Sequence, residues 1–418
     1  MRADLILRDC RQLVTLQGGA GPRTGAAMND PGCIAGGALA IKDGRILAVG
    51  TTDEIMAAHS APEVVSAADQ LVLPGFIDCH THPVFVHTRE DEFAQRLAGK
   101  SYVEISQAGG GIRGTIKTTR DASEDLLFEL AAKRVRKMIS LGTTTVEAKS
   151  GYGLDTASEL KQLRVIARLN SELPVTVVPT FMGAHEFPAE YKDNHAGYIK
   201  ILCSEMIPAV AEQGIARFCD IFTEAHVYGI EDSRTVLNCA REHGLPLKMH
   251  ADEIEPIGGA ELAAELGCVS ADHLGAASDV GIQALKAAGV IPVLLPATLY
   301  SLASKNYARG RHMIDSGLPV AIATDFNPGS CNCDSLPFTM SLACLQMGLS
   351  PVEALCACTL NAAHALGLGA ELGSLEPGKL ANFCIWDIPS LNFIPYHLGS
   401  SHITAVYASG KLVHTSSA

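Results

Sequence analysis

The chain has 418 residues, 47% hydrophobic and 18% charged, with a formal net charge of −13. That is soluble globular composition with length for a large core. An acidic chain with no long basic run argues against nucleic acid or anionic membranes as partners.

The opening segment, MRADLILRDCRQLV, is broken by charges and lacks the continuous apolar core of a signal peptide. No run approaches the length of a membrane span. The expectation is a cytoplasmic protein. The 13 cysteines are scattered without repeated CxxC pairs. Cys331 and Cys333, and Cys356 and Cys358, are CxC pairs that lack zinc-knuckle spacing, so reduced, mostly buried thiols are expected.

Near the N-terminus, DLILRDCRQLVTL and GALAIKDGRILAVG alternate apolar and polar residues around an Asp43-Gly44 turn. Near the C-terminus, ANFCIWD and ITAVYASGKLVHT do the same around Ser409-Gly410. These are antiparallel hairpin signals. They predict a small β-sandwich domain assembled from residues 1–73 and 367–418.

Residues 74–366 repeat a different grammar. Short apolar or β-branched runs alternate with helix-like segments: FIDCH, TTTVEAK, VTVVPTF, FCDIFTE, PLKMHAD, CVSADHL, VIPVLLP and VAIATDF. Eight such units predict an α/β fold, a parallel (β/α)8 TIM-like barrel. The glycines of GGGIRG, Gly109, Gly111 and Gly114, match GxGxxG, but SYVEISQA before them does not read as a strand and TIKTTRD after them reads as a poor helix start. A dinucleotide fingerprint needs strand, turn and helix in that order, so the pattern is read as a flexible loop. No GxxxxGK[ST] loop supports nucleotide triphosphate chemistry.

A barrel of this kind carries its active site at the C-terminal ends of its strands. The first strand ends in His80 and His82, the fifth in His250, the sixth in His273 and the eighth in Asp325. Residues i and i+2 of a strand share a face, so His80 and His82 can share a ligand. Imidazoles with one carboxylate suit a borderline divalent metal with an open position for water. Hydroxide generated there attacks a carbonyl or amidine carbon. Asp325 can touch the metal and take a proton, His273 can polarise the electrophile, and Glu253 can move protons or bind substrate.

These residues and their surroundings resemble the amidohydrolase superfamily: LPGFIDCHTH, a later strand-end His, ADH, ATDFNPG and LEPGKLANFCIWD. HTHPVFVHTREDEF, AGGGI, EAKSGYGLD, MGAH, HADEIEPIGGAELA, SADHL and ATDFNPGS narrow the resemblance to its imidazolonepropionase family, enzymes of histidine degradation. The resemblance implies one zinc or iron ion per chain on His80, His82, His250 and Asp325. It implies that Arg89 pairs with the substrate propionate, and that Tyr152 and His185 contact substrate or product. Glu253 and His273 would act around the ring and the water. Asn327, Gly329 and Ser330 would complete the pocket, with Tyr102 a further candidate. A homodimer acting on a small molecule is the implied assembly. No strand ends in an obvious lysine for a carboxylated bridge, which favours one metal, and the cysteines of CNCD are not expected to compete as ligands.

The implied reaction is metal-hydroxide hydrolysis of the cyclic amide of 4-imidazolone-5-propanoate to N-formimidoyl-L-glutamate. The alternatives are a deaminase or formimidoyl-glutamate deiminase with the same metal constellation, and a non-catalytic barrel that binds a small molecule or a partner.

Overall fold

The computed structural model describes residues 1–100 and 111–416. Among them the strands form two sheets of eight. In the first, β1 (Leu5–Val14) pairs antiparallel with β2 (Cys33–Lys42), and β2 with β3 (Arg45–Thr51). The hairpin turns at Asp43 and Gly44 with φ of 50° and 75°. Those paired left-handed residues match the twist of the flanking strands. β4 (Glu63–Ser66) and β5 (Leu71–Pro74) lie parallel to β1. The C-terminal strands β14 (Phe383–Trp386), β15 (Ile403–Ala408) and β16 (Lys411–Thr415) join antiparallel on β5, so both ends of the chain build one sheet. Its core packs Leu7, Leu13, Leu39, Val72, Phe383 and Tyr407, the last two stacked with ring centres 4.5 Å apart.

The second sheet is the barrel. Its strands are β6 (Phe76–Asp78), β7 (Thr143–Lys149), β8 (Thr176–Ala184), β9 (Phe218–Thr223), β10 (Lys248–Ala251), β11 (Ser270–His273), β12 (Ile291–Leu294) and β13 (Ala321–Ile322). All pair in parallel and in sequence order. A bridge between Thr81 and Phe326 joins the first strand's continuation to the last, with the His82 N–H donating to the Phe326 carbonyl at 2.8 Å. The eight predicted strands and the (β/α)8 architecture are therefore observed.

Each strand is buried on both faces. In β7, Val146 and Ala148 pack with Leu127, Val135 and Met138 of the helix Glu124–Ser140, whose cap is Ser123. Glu147 and Lys149 point the other way and are also fully buried. The TIKTTRD segment departs from expectation: Ile112–Asp121 is a helix. Its β-branched residues are weak helix formers, but burial of Thr115, Ile116 and Thr119 overrides local propensity. Among the described residues, no helix is long and apolar enough to cross a membrane.

Candidate active site

The polar residues sit at the C-terminal ends of the barrel strands and meet in one cavity. It is lined by His82, Arg89, Ile112, Tyr152, His185, Phe222, His250, Glu253, His273, Asp325, Asn327 and Ser330. His80 lies just beneath, fully buried, with ring centres 4.4 Å from His250, 5.3 Å from His273 and 5.4 Å from His82. Tyr102 lies outside the described residues.

Strand alternation explains His80 and His82 but not His273, which follows the inward-facing Asp272 by one position. His273 has φ of 76° and Asp325 φ of 52°. A left-handed residue at a strand end re-aims its side chain, at a cost of about 1–3 kcal/mol for a residue other than glycine. Both strained residues belong to the site, where such strain concentrates.

Buried nitrogens of His80 and His82 test whether these residues suit a metal. Nε2 of His80 and Nδ1 of His82 have no hydrogen-bond partner. Nε2 of each ring lies 3.6 Å from Oδ1 of Asp325. That gap is long for a hydrogen bond. It is close to the separation of about 3.3 Å expected between two ligands on one tetrahedral zinc. Donor atoms of His80, His82 and Asp325 lie within 4.8 Å of one another, as do those of His80, His250 and His273. Burial and neighbouring cationic groups push His80, His82 and His273 well below the usual imidazole range, leaving neutral rings with free lone pairs. The donor set fits a divalent cation.

The far side of each ring is held. Nδ1 of His80 lies 2.6 Å from Oδ2 of Asp272, and Nδ1 of His250 lies 3.1 Å from Oδ1 of Asp220. Such outer carboxylates fix ring orientation and raise ligand basicity. His273 differs: its Nδ1 lies 3.5 Å from Glu253. Oδ2 of Asp325 accepts from the Thr298 hydroxyl at 2.7 Å. Burial first, and then the nearby Asp325 and Glu224 charges, push the Glu253 carboxyl up to about 8.

The sequence reading missed the layer below. Glu147, Lys149, Asp220, Lys248 and Asp272 are all fully buried and form one ion-paired cluster. Burial works against the Lys149 ammonium, but Asp220, Glu147 and Asp272 outweigh it and push its pKa up. A usable signal existed: charged residues recur two apart inside otherwise apolar runs, as in Glu147-x-Lys149 and Lys248-x-His250.

The pocket wall is equally specific. Tyr152 sits within a loop whose Gly151, Gly153 and Leu154 N–H groups donate to the buried Glu159 carboxylate. His185 stacks on His82 with ring centres 5.0 Å apart and contacts the Gly151 carbonyl through Nδ1 at 3.0 Å. Nε and Nη1 of Arg89 are buried without a hydrogen-bond partner. Asn327 and Gly329 use their polar groups within the NPGS turn: Oδ1 of Asn327 accepts from the N–H groups of Gly329, Ser330 and Cys331. The turn is thus self-held rather than offering those donors to a ligand. The Cys331 thiol faces the Thr324 carbonyl, and all 13 cysteines are free.

The amidohydrolase family model matches residues 71–413, and a model of the bacterial imidazolonepropionase-like composite domain matches residues 37–59. The imidazolonepropionase of Symbiobacterium thermophilum is 49% identical, over 98% of this chain and 97% of the relative. That of Solibacter usitatus is 47% identical over the whole of both chains. The fold is shared with a zinc-bound adenosine deaminase from Xanthomonas campestris, with a TM-score of 0.72 at 18% identity, covering 98% of this chain and 93% of that one. Guanine deaminase from E. coli gives a TM-score of 0.74 at 16% identity, covering 98% and 99%. Matched along nearly its entire length, the chain belongs to the imidazolonepropionase family of the amidohydrolases.

Proposed function

We propose that this site opens the ring of 4-imidazolone-5-propanoate to N-formimidoyl-L-glutamate, with one zinc or iron ion per chain held by His80, His82, His250 and Asp325. The carrying observation is that Nε2 of His80, buried without a hydrogen-bond partner, and Nε2 of His82 both lie 3.6 Å from Oδ1 of Asp325. When bound, the cation supplies Lewis-acid chemistry and brings the pKa of water towards neutrality. Contrary to the expectation from sequence, β7 does end in a lysine, Lys149, but its ammonium is ion-paired with Glu147 and Asp220, which supports a charged lysine and a single ion.

In the reaction the water oxygen bonds to the ring carbonyl carbon, the carbon–nitrogen bond breaks, and the departing nitrogen takes up a proton. Asp325 accepts the proton of the attacking water. Glu253, protonated near neutral pH, returns one to the ring nitrogen. His273, beside Glu253, steadies charge developing on the carbonyl oxygen. Arg89 takes the propionate carboxylate in its planar fork. Tyr152, His185 and the Ser330 hydroxyl flank the ring, and Tyr102 belongs to the same proposed set. Anchoring the propionate orients a carbon remote from it.

We also propose a division into a barrel over 74–366 and a β domain from 1–73 and 367–418, and a cytoplasmic homodimer without nucleic-acid or membrane partners. The net charge of −13 supports the last point.

The test pairs elemental analysis with turnover of freshly generated imidazolonepropionate. About one equivalent of zinc or iron, with loss of substrate absorbance above the spontaneous rate and no ammonia, is expected. Ammonia release would point to a deaminase, and metal-free active protein would overturn the ligand assignment.

A further inference from the structure

Beneath the imidazoles, two lysines and three carboxylates are sealed from water. Nζ of Lys149 lies 2.6 Å from Asp220, 2.9 Å from Glu147 and 3.7 Å from Asp272. Asp220 and Asp272 are the two carboxylates that hold Nδ1 of His250 and of His80. A single ammonium therefore joins the outer partners of two candidate ligands that come from different strands. Lys248 belongs to the same cluster: it donates to the Cys79 carbonyl and to Glu147 and lies 3.6 Å from Asp272, but it makes no ion pair with Asp220, so Lys149 is the ammonium that reaches both outer carboxylates.

We propose that Lys149 is a positioning residue that ties Asp220 and Asp272 into one unit, so that His80 and His250 present their free nitrogens to a cation together. This rests on reading the imidazole cluster as a metal site. It makes a counter-intuitive prediction. Lys149 carries positive charge close to where a dication binds, so by simple repulsion its removal would tighten binding. If it acts by holding the two carboxylates in register, its removal loosens binding, because the rings lose their fixed orientation. Loss of an outer partner costs about 10–100-fold in metal affinity.

The experiment measures zinc and cobalt affinity by competition with a coloured chelator, on the full-length protein stripped of metal. The visible spectrum of the cobalt form reports ligand geometry. In Lys149→Met, zinc binding is expected to weaken at least about tenfold, with an altered cobalt spectrum. Three buried carboxylates left with one lysine can prevent folding, so the charge-balanced pair Glu147→Gln with Lys149→Met is made alongside and checked by circular dichroism. It removes one charge of each sign and is expected to weaken binding in the same way. Lys149→Arg, which keeps the charge but not the ammonium geometry, is expected to recover folding and only part of the affinity.

Equal or tighter zinc binding in whichever of the first two variants folds, with an unchanged cobalt spectrum, overturns the positioning role. If the unaltered protein binds neither zinc nor cobalt, the metal reading itself fails.

Discussion

The guanidinium of Arg89 fills the space that a β-carbon on Gly329 would need. Gly329 does not occupy the left-handed region, so space alone explains glycine there. The NPGS turn brings its backbone against the arginine, whose own N–H donates to the Pro328 carbonyl at 3.0 Å. Substituting Gly329→Ala would push the fork off its seat without touching the strand ends. KM is expected to rise about tenfold or more, with kcat changed less and the fold intact. Arg89→Lys should act alike, because an ammonium lacks the planar fork. Steady-state kinetics decide it; an unchanged KM in both variants would separate Arg89 from the substrate carboxylate.

Asp325 makes a second case. One oxygen takes the Thr298 hydroxyl, and the other lies 3.6 Å from Nε2 of both His80 and His82. Asp325→Ala removes the only carboxylate in the proposed ligand set, so metal content and turnover are expected to fall together. Elemental analysis of the purified variant is the check. Retention of about one equivalent of cation would take Asp325 out of the ligand set and leave it a proton carrier only.

Much of this site is legible in the sequence, for reasons that differ by residue. His80 and His82 are readable because strand alternation is local and their spacing puts them on one face. His250 is readable as the end of a short buried run. His273 and Asp325 could be listed as strand-end residues, but not aimed, because their left-handed backbones break the alternation that spacing relies on. The ion-paired layer was hidden for another reason. Glu147 and Lys248 come from non-adjacent strands, and Asp220 meets Lys149 across the barrel interior. Those pairings are set by barrel closure, which no short window contains. Arg89 and Gly329 likewise meet only when the loop after the first strand folds against the loop after the last. The helix Ile112–Asp121 was obscured by its own composition, since burial rather than propensity holds it.

The loop that carries Tyr152 hangs on one carboxylate. Oε1 of Glu159 accepts from Gly153 and Leu154 at 2.8 Å each, and Oε2 from Gly151 at 3.0 Å. Leu154 sits at φ of 53°, a conformation the loop must be held in. Glu159→Gln replaces one acceptor oxygen with an N–H₂ that faces another donor. In a fully buried setting this costs about 1–3 kcal/mol. A lowered unfolding midpoint in urea is expected, together with a raised KM as Tyr152 loses its fixed position. Loss of stability with unaltered KM would show that the loop is structural and does not serve the pocket.

The pH profile offers the last prediction. Burial, followed by Asp325 and Glu224, pushes the Glu253 carboxyl up to about 8. A carboxyl raised in this way keeps its proton through neutrality and loses it as pH rises through that value. A step that needs this proton at the ring nitrogen therefore slows on the alkaline side. A cation on Asp325 weakens one of the two neighbouring charges but leaves burial and Glu224 in place, so kcat/KM should show a descending limb at or below about pH 8. Glu224→Gln removes a negative charge from beside Glu253, which makes its ionisation easier. The limb is then expected to move to lower pH. Glu224 also accepts the Ile254 N–H at 2.9 Å, so the height of the profile will drop as well. The position of the limb is what discriminates. A limb that stays in place or moves to higher pH would mean that the titrating proton belongs to a group other than Glu253.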